Sequence, residues 1–146
     1  MSLDGLGCIA SKNGLIVNIY RPDNYSLNNF RKDVKKVCSH ASQNQMIVNY
    51  HRAALNQAGA GHHSPIGGYN EATDQVLILD VARFKYPPHW VELAKLYEAM
   101  KTRGWMVLSR PAEKKKPKNH KIQNDQIISL PILSSEIEDS NELITI

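Results

Sequence analysis

His62 and Asp80 are the two residues whose types and spacing suggest chemistry. His62 sits in "GAGHHSPIGGYN", four glycines, a proline and two adjacent histidines in a short stretch. Asp80 closes the apolar run "VLILD". A turn-rich segment, "GGYNEATD", separates them. If the flanking strands form a hairpin centred near residue 71, His62 and Asp80 become cross-strand neighbours on one face, with Pro65 making the register approximate. A carboxylate buried in "VLILDVA" is costly unless something pairs with it, and a histidine opposite is a natural partner. An Asp bonded to one imidazole nitrogen fixes the tautomer, and the other nitrogen can then serve as a general base for a thiol or hydroxyl. From spacing alone, the plainer alternative is a buried His–Asp pair that merely closes a core.

The nucleophile is harder to place. Cys8 is expected on a strand, and Cys38 falls near a helix C-terminus, where the dipole disfavours thiolate. Both read more simply as small buried or half-buried residues. Ser64 is too close to His62 in sequence to meet it. No metal site is expected: His62 and His63 would point to opposite faces of a strand, no CxxC or HxxxH spacing occurs, and the other histidines are scattered.

The elements that must position these residues follow from the local pattern. "GCIASKNGLIVNIYRP" reads as a β-hairpin turning at Asn13-Gly14. Ser26 caps a helix carrying Leu27, Phe30, Val34 and Val37 at helical spacing. "QMIVNYHRAAL" and "DQVLILDVARF" read as strands, the second ended by Pro87-Pro88. "HWVELAKLYEAMKTRG" reads as a helix stopped at Gly104, and "WMVLSR" as a closing strand. The class is α+β, an antiparallel β-sheet with flanking helices.

The 146 residues have an apolar share of 42% and fit one domain over 1–111, followed by a tail over 112–146 that is expected to be disordered. The net charge of +4 is uneven: residues 1–111 carry 13 Lys and Arg against 8 Asp and Glu. The tail runs from basic "EKKKPKNHK" to acidic "SSEIEDSNE". Its basic run has neither arginine nor aromatic residues, so a solvated linker is expected and no nucleic-acid partner. No apolar run is long enough to cross a membrane, and no membrane partner is expected. The start lacks a secretory pattern, and two cysteines make no disulfide framework, so a cytoplasmic location is expected.

"YHR" at Tyr50–Arg52, "GHHSPIGGYN" at Gly61–Asn70 and "LILDVARFKYPPHWVEL" at Leu77–Leu93 closely resemble phytochelatin synthase. The resemblance implies the β-rich half of a papain-like cysteine-peptidase fold, and a Cys-His-Asp triad in which His62 and Asp80 supply the histidine and aspartate. It implies γ-glutamylcysteinyl transfer from glutathione, with release of glycine. Heavy-metal ions such as Cd and Zn then act as activators or as glutathione thiolate complexes rather than as a tightly bound cofactor. Arg83 and Tyr86 fall in the family's substrate-proximal segment, where Arg83 could hold a glutathione carboxylate. His63 stands where the family is expected to carry an aromatic residue.

The family's nucleophilic Cys lies well before its His, whereas "LDGLGCIASKNGL" already resembles the family's middle, and Cys8 matches a position that is not the nucleophile. The expectation is a chain truncated before that Cys and inactive alone, with a complementary N-terminal half or a full-length paralogue as partner. The alternatives are a non-catalytic half-domain that assembles with a partner chain, an incomplete gene model, or a generic cysteine protease.

Overall fold

The first ten-residue element is a helix, not the first arm of a hairpin. In the computed structural model, which describes residues 1–112, α1 spans Leu3–Lys12. The side chain of Ser2 accepts the Gly5 N–H at 3.0 Å and caps it. Asp4 in the first turn and Lys12 in the last suit the helix dipole. Asn13-Gly14 ends the helix instead of turning a hairpin. Gly14 adopts φ +83°, its N–H meets the Ser11 carbonyl at 2.9 Å, and the Leu15 N–H reaches back to the Ala10 carbonyl at 3.2 Å. This is the Schellman arrangement, which wants the same left-handed residue that a tight hairpin wants.

β1 (Ile16–Tyr20) follows, then α2 (Leu27–Val37). Ser26 and Asn29 form a reciprocal capping box, and α2 buries Phe30 and Val34. β2 spans Gln45–His51 and gives way to a 3₁₀ turn over Arg52–Leu55, so the strand expected there ends before "RAAL". β3 (Gly61–Asn70) and β4 (Gln75–Ile78) form the hairpin around the glycine-rich stretch. β5 (His89–Glu92), α3 (Leu93–Ala99) and β6 (Gly104–Ser109) complete the described residues.

Two more expectations change here. The strand through "VLILDVARF" stops at Ile78, because the Asp80 carboxylate takes the Ala82 N–H at 2.7 Å and Lys85 and Tyr86 both donate to the Ala82 carbonyl. The chain winds into a turn before Pro87 is reached. The helix expected from His89 starts only at Leu93, because His89–Glu92 pairs with β4, Ile78 opposite His89 and Val76 opposite Val91. Gly104 is the first residue of β6 rather than the helix stop, and Met100 caps α3. The tail over 112–146 lies, apart from its first residue, outside the described residues.

The strands order β1-β6-β2-β3-β4-β5, every neighbouring pair antiparallel, and the class is α+β. α2 and α3 bury their apolar faces with β2 and β6 around Trp105, which stacks on Tyr20 at 5.5 Å and meets Phe30 at 4.9 Å. Its indole N–H donates to Asp33 at 3.0 Å, so the largest core side chain has no orphaned polar atom.

Gly104 sits at φ +129°, where a Cβ would lie 2.1 Å from the Tyr20 carbonyl oxygen. Both the backbone conformation and the contact exclude a side chain. Gly104→Ala is expected to destabilise the protein by about 2 kcal/mol or more. Urea unfolding of the two proteins measures it, and an unchanged midpoint would contradict the strain.

Candidate functional site

Register places the first component. His62 lies opposite Tyr50 and His63 opposite Asn49 on the β2–β3 ladder, so the two histidines face opposite sides of the sheet. On the other side of β3, the ladder to β4 shifts between Ile66 and Gly68, and the hairpin pairs Asn70 with Gln75. The hairpin therefore turns slightly later than residue 71. The last paired residues are Ile66 and Ile78, and the Leu79 N–H still reaches the Pro65 carbonyl at 3.0 Å. Asp80 lies just past that end, and its side chain reaches along β3 to His62.

The structure brings His62 and Asp80 together: Nε2 of His62 is 2.8 Å from Oδ1 of Asp80. Asp80 is 2% exposed. Its Oδ1 accepts from His62, from Nη2 of Arg52 at 2.9 Å and from the Ala82 N–H at 2.7 Å. Oδ2 lies 2.8 Å from the same Arg52 nitrogen but, among the described residues, receives no aligned N–H. Burial by itself would raise the Asp80 carboxyl. The Ala82 N–H, His62 and the Arg52 charge outweigh it and hold the carboxyl below the ordinary carboxylate range. An ionised carboxylate only accepts, so Nε2 of His62 must carry the proton, and in the neutral ring Nδ1 holds a lone pair. That is the arrangement of a general base oriented by a carboxylate.

Arg52, 4% exposed, is the component that the pattern of the sequence did not single out. It opens the 3₁₀ turn after β2 and lies over the Tyr86 ring at 4.8 Å. Its Nη1 donates to Gln57 at 2.9 Å. Two signals could have found it: a buried carboxylate needs a counter-charge, and "NYHRAAL" sets an arginine in an apolar context. Tyr50 meets the His62 ring edge-on at 6.0 Å, and its buried hydroxyl is 3.3 Å from that of Ser64. Burial pushes the Tyr50 phenol up.

The remaining candidates are dispersed. Tyr86 reaches the cluster through Arg52, and its hydroxyl accepts the Ala58 N–H at 2.7 Å. Arg83 is exposed on the same loop and, among the described residues, bonds to neither His62 nor Asp80. His63 accepts from Asn49 at 2.9 Å, and burial pushes its imidazole down. Cys8 is exposed on α1, and Cys38 caps α2, where burial pushes its thiol up. Among the described residues, no three His, Cys, Asp or Glu side chains gather into a metal-holding group, and no helix is long and apolar enough to cross a membrane.

In this mixed sheet-and-helix domain, a histidine held by a buried carboxylate is a group able to move a proton, and sequence comparison gives the family. The family model of phytochelatin synthase matches residues 1–105, and the chain belongs to the phytochelatin synthase family. It is 48% identical over 119 residues to glutathione gamma-glutamylcysteinyltransferase 1 of Lotus japonicus, covering 76% of this chain and 24% of that one. Glutathione gamma-glutamylcysteinyltransferase 2 of Arabidopsis thaliana is 49% identical over 112 residues, covering 71% and 25%. Glutathione gamma-glutamylcysteinyltransferase of Schizosaccharomyces pombe is 43% identical over 100 residues, covering 68% and 24%. The aligned region thus spans about a quarter of the length of these relatives.

The cluster makes two predictions about stability. Arg52→Met strands a buried carboxylate and is expected to cost about 3–5 kcal/mol in urea unfolding, with part of the loss recovered in Arg52→Met/Asp80→Asn. If the double variant is as unstable as the single one, the two side chains are not coupled. The second prediction concerns acid. Asp80 is depressed, and Asp74 is held down to about 2 by the Arg31 and Tyr69 hydrogen bonds. A carboxyl depressed in the folded state stabilises above its unfolded pKa of about 4, and that contribution disappears as pH falls toward the folded value. Unfolding midpoints should drop between pH 4 and 2, less steeply in Asp74→Asn. An equally steep drop in that variant would assign the acid sensitivity elsewhere.

Proposed function

We propose that this chain supplies the base and the orienting carboxylate of a γ-glutamylcysteinyl-transfer site acting on glutathione, within a papain-like catalytic fold. The observation that carries the reading is the short bond from Nε2 of His62 to a buried, ionised Asp80, which leaves Nδ1 for proton transfer. The attacking thiol comes from outside the described residues.

In this reading, Nδ1 of His62 takes the thiol proton. The thiolate adds to the Cys–Gly carbonyl of glutathione, the C–N bond breaks, and glycine leaves with the proton returned by His62. The thioester then passes its γ-glutamylcysteinyl group to the amino group of a second glutathione. The C–S bond breaks as the new C–N bond forms, and His62 accepts the amine proton. Heavy-metal ions enter as activators or as glutathione thiolate complexes. Arg83, on the loop beside Asp80, is assigned to a glutathione carboxylate, and Tyr86 to the same substrate-proximal segment.

A second reading is a half-domain that assembles with a partner without catalysing anything. The loop after Asp80 favours assembly in either case: Val81 is 64% exposed and Phe84 87% exposed. Apolar side chains so near a buried polar cluster are suited to being covered by the protein that brings the thiol.

Glycine release from glutathione with Cd²⁺ tests both readings. The full chain alone is expected to release none. Mixed with the segment of an Arabidopsis relative that precedes the aligned region, it is expected to release glycine, and His62→Ala or Asp80→Asn should lower that rate roughly 10³-fold or more. Association without glycine release would favour the second reading. Release by the chain alone would show a nucleophile within it and return attention to Cys8.

A further inference from the structure

The hydrogen bonds holding Arg52 continue past it in a line whose direction is fixed at its far end. Nδ1 of His89 is 2.8 Å from the Pro87 carbonyl oxygen, which can only accept, so Nδ1 carries the proton. In the neutral ring, Nε2 then accepts, and the Gln57 side-chain nitrogen, 2.9 Å away, donates to it. Gln57 must therefore turn its carbonyl oxygen the other way, where it accepts from Nη1 of Arg52 at 2.9 Å. Arg52 is left with Nη2 against both oxygens of Asp80. Each group in the series has one orientation that satisfies both neighbours. Asp80 and Pro87 belong to the same loop, so the line begins and ends on one segment and clasps it to the 3₁₀ turn.

We propose that Gln57 and His89 are positioning residues for Asp80, acting through Arg52, so that the orientation of the His62 imidazole is set in part from β5. The inference rests on the reading of His62 and Asp80 as base and orienting carboxylate. Neither Gln57 nor His89 bonds to either of them. If the Gln57 amide loses its partner at His89, it is free to turn its NH₂ toward the guanidinium. That puts donor against donor and releases one arm of Arg52. Asp80 then keeps the Ala82 N–H but loses the fixed counter-ion that bonds its Oδ1 and lies beside its Oδ2. The His62 ring, with a mobile acceptor, exchanges between tautomers.

The ¹⁵N resonances of the His62 ring in the labelled full chain test this. The wild-type protein is expected to hold neutral His62 in the Nε2–H tautomer, with a slowly exchanging proton on that nitrogen. Gln57→Leu and His89→Phe should both lose that proton signal and show mixed tautomers while the backbone spectrum stays folded. Gln57→Glu, which still offers Arg52 an acceptor, should keep the signal. A merely structural role would lower stability without moving the His62 resonances. Unchanged His62 resonances in a folded Gln57→Leu would overturn the proposal, and so would equal loss of the signal in Gln57→Glu. If His89→Phe does not fold, the two Gln57 variants decide.

In the reconstituted glycine-release assay, Gln57→Leu is expected to lower kcat roughly ten- to a hundredfold with KM little changed. A fall in KM-linked binding alone would assign Gln57 to substrate instead. The two readouts separate the claims. No glycine release from the wild-type mixture would defeat the transfer reading and leave the resonance test standing. Unmoved resonances would defeat this inference whatever the assay gives.

Discussion

Taking an ionised carboxylate out of water costs several kcal/mol unless protein groups replace the lost water. Asp80, at 2% exposure, places that demand at the end of β4. Its Oδ1 meets it with three donors from three segments: the Ala82 N–H of its own loop, Arg52 after β2, and His62 on β3. Much of the local structure follows from that one oxygen. The strand stops short because the carboxylate captures the Ala82 N–H. The 3₁₀ turn after β2 sets Arg52 inside rather than on the surface. The loop over residues 80–86 winds back toward the sheet instead of extending the ladder.

The Ala82 N–H and Arg52 together also set what kind of pair His62 and Asp80 make. A carboxylate bonded to a histidine alone stays ionised only while other donors or a charged ring support it. A guanidinium keeps its charge across the whole working range of pH. With Arg52 at 2.8–2.9 Å from both oxygens, Asp80 remains an acceptor whether His62 is neutral or charged. The proton on Nε2 therefore keeps its acceptor, and in the proposed reaction Nδ1 is the nitrogen that exchanges one. The cost is a buried arginine, and Gln57 and the Tyr86 ring face its remaining surface.

How much of this was legible in the sequence depended on how local each signal was. Ser26, with Asn29 three residues on, announces α2 because capping is a contact within one turn. The nearness of His62 and Asp80 was legible because a hairpin is a local object, and a turn-rich stretch between two runs fixes its centre to within a residue or two. Asn13-Gly14 misled because a left-handed glycine serves a helix end as well as a hairpin, and "LDGLGCIASK" has no alternation to choose between them. "HWVE" runs into "LAKLYEA" without punctuation, so only its pairing with β4 shows it to be a strand. The line from Arg52 through Gln57 to His89 had no pattern at all. It joins single side chains 5 and 32 positions apart, and no period marks them.

The choice of ring nitrogen has a geometric consequence for any thiol that meets this histidine. Nδ1 is attached to Cγ, one atom nearer the main chain than Nε2. With Nε2 turned to Asp80, the nitrogen left for a thiol is the one nearer the β3 backbone. The Nε2 end is closed by Asp80 and Arg52, and Tyr50 stands edge-on against the ring at 6.0 Å and 83°. Proton transfer requires heavy atoms at about 2.6–3.2 Å, so the thiol must come close to β3 itself and not merely near the cluster. A strand in the middle of a six-stranded sheet holds that position more firmly than a loop would. The rigid partner is the histidine, and the precision of the encounter then falls on whichever element carries the sulfur.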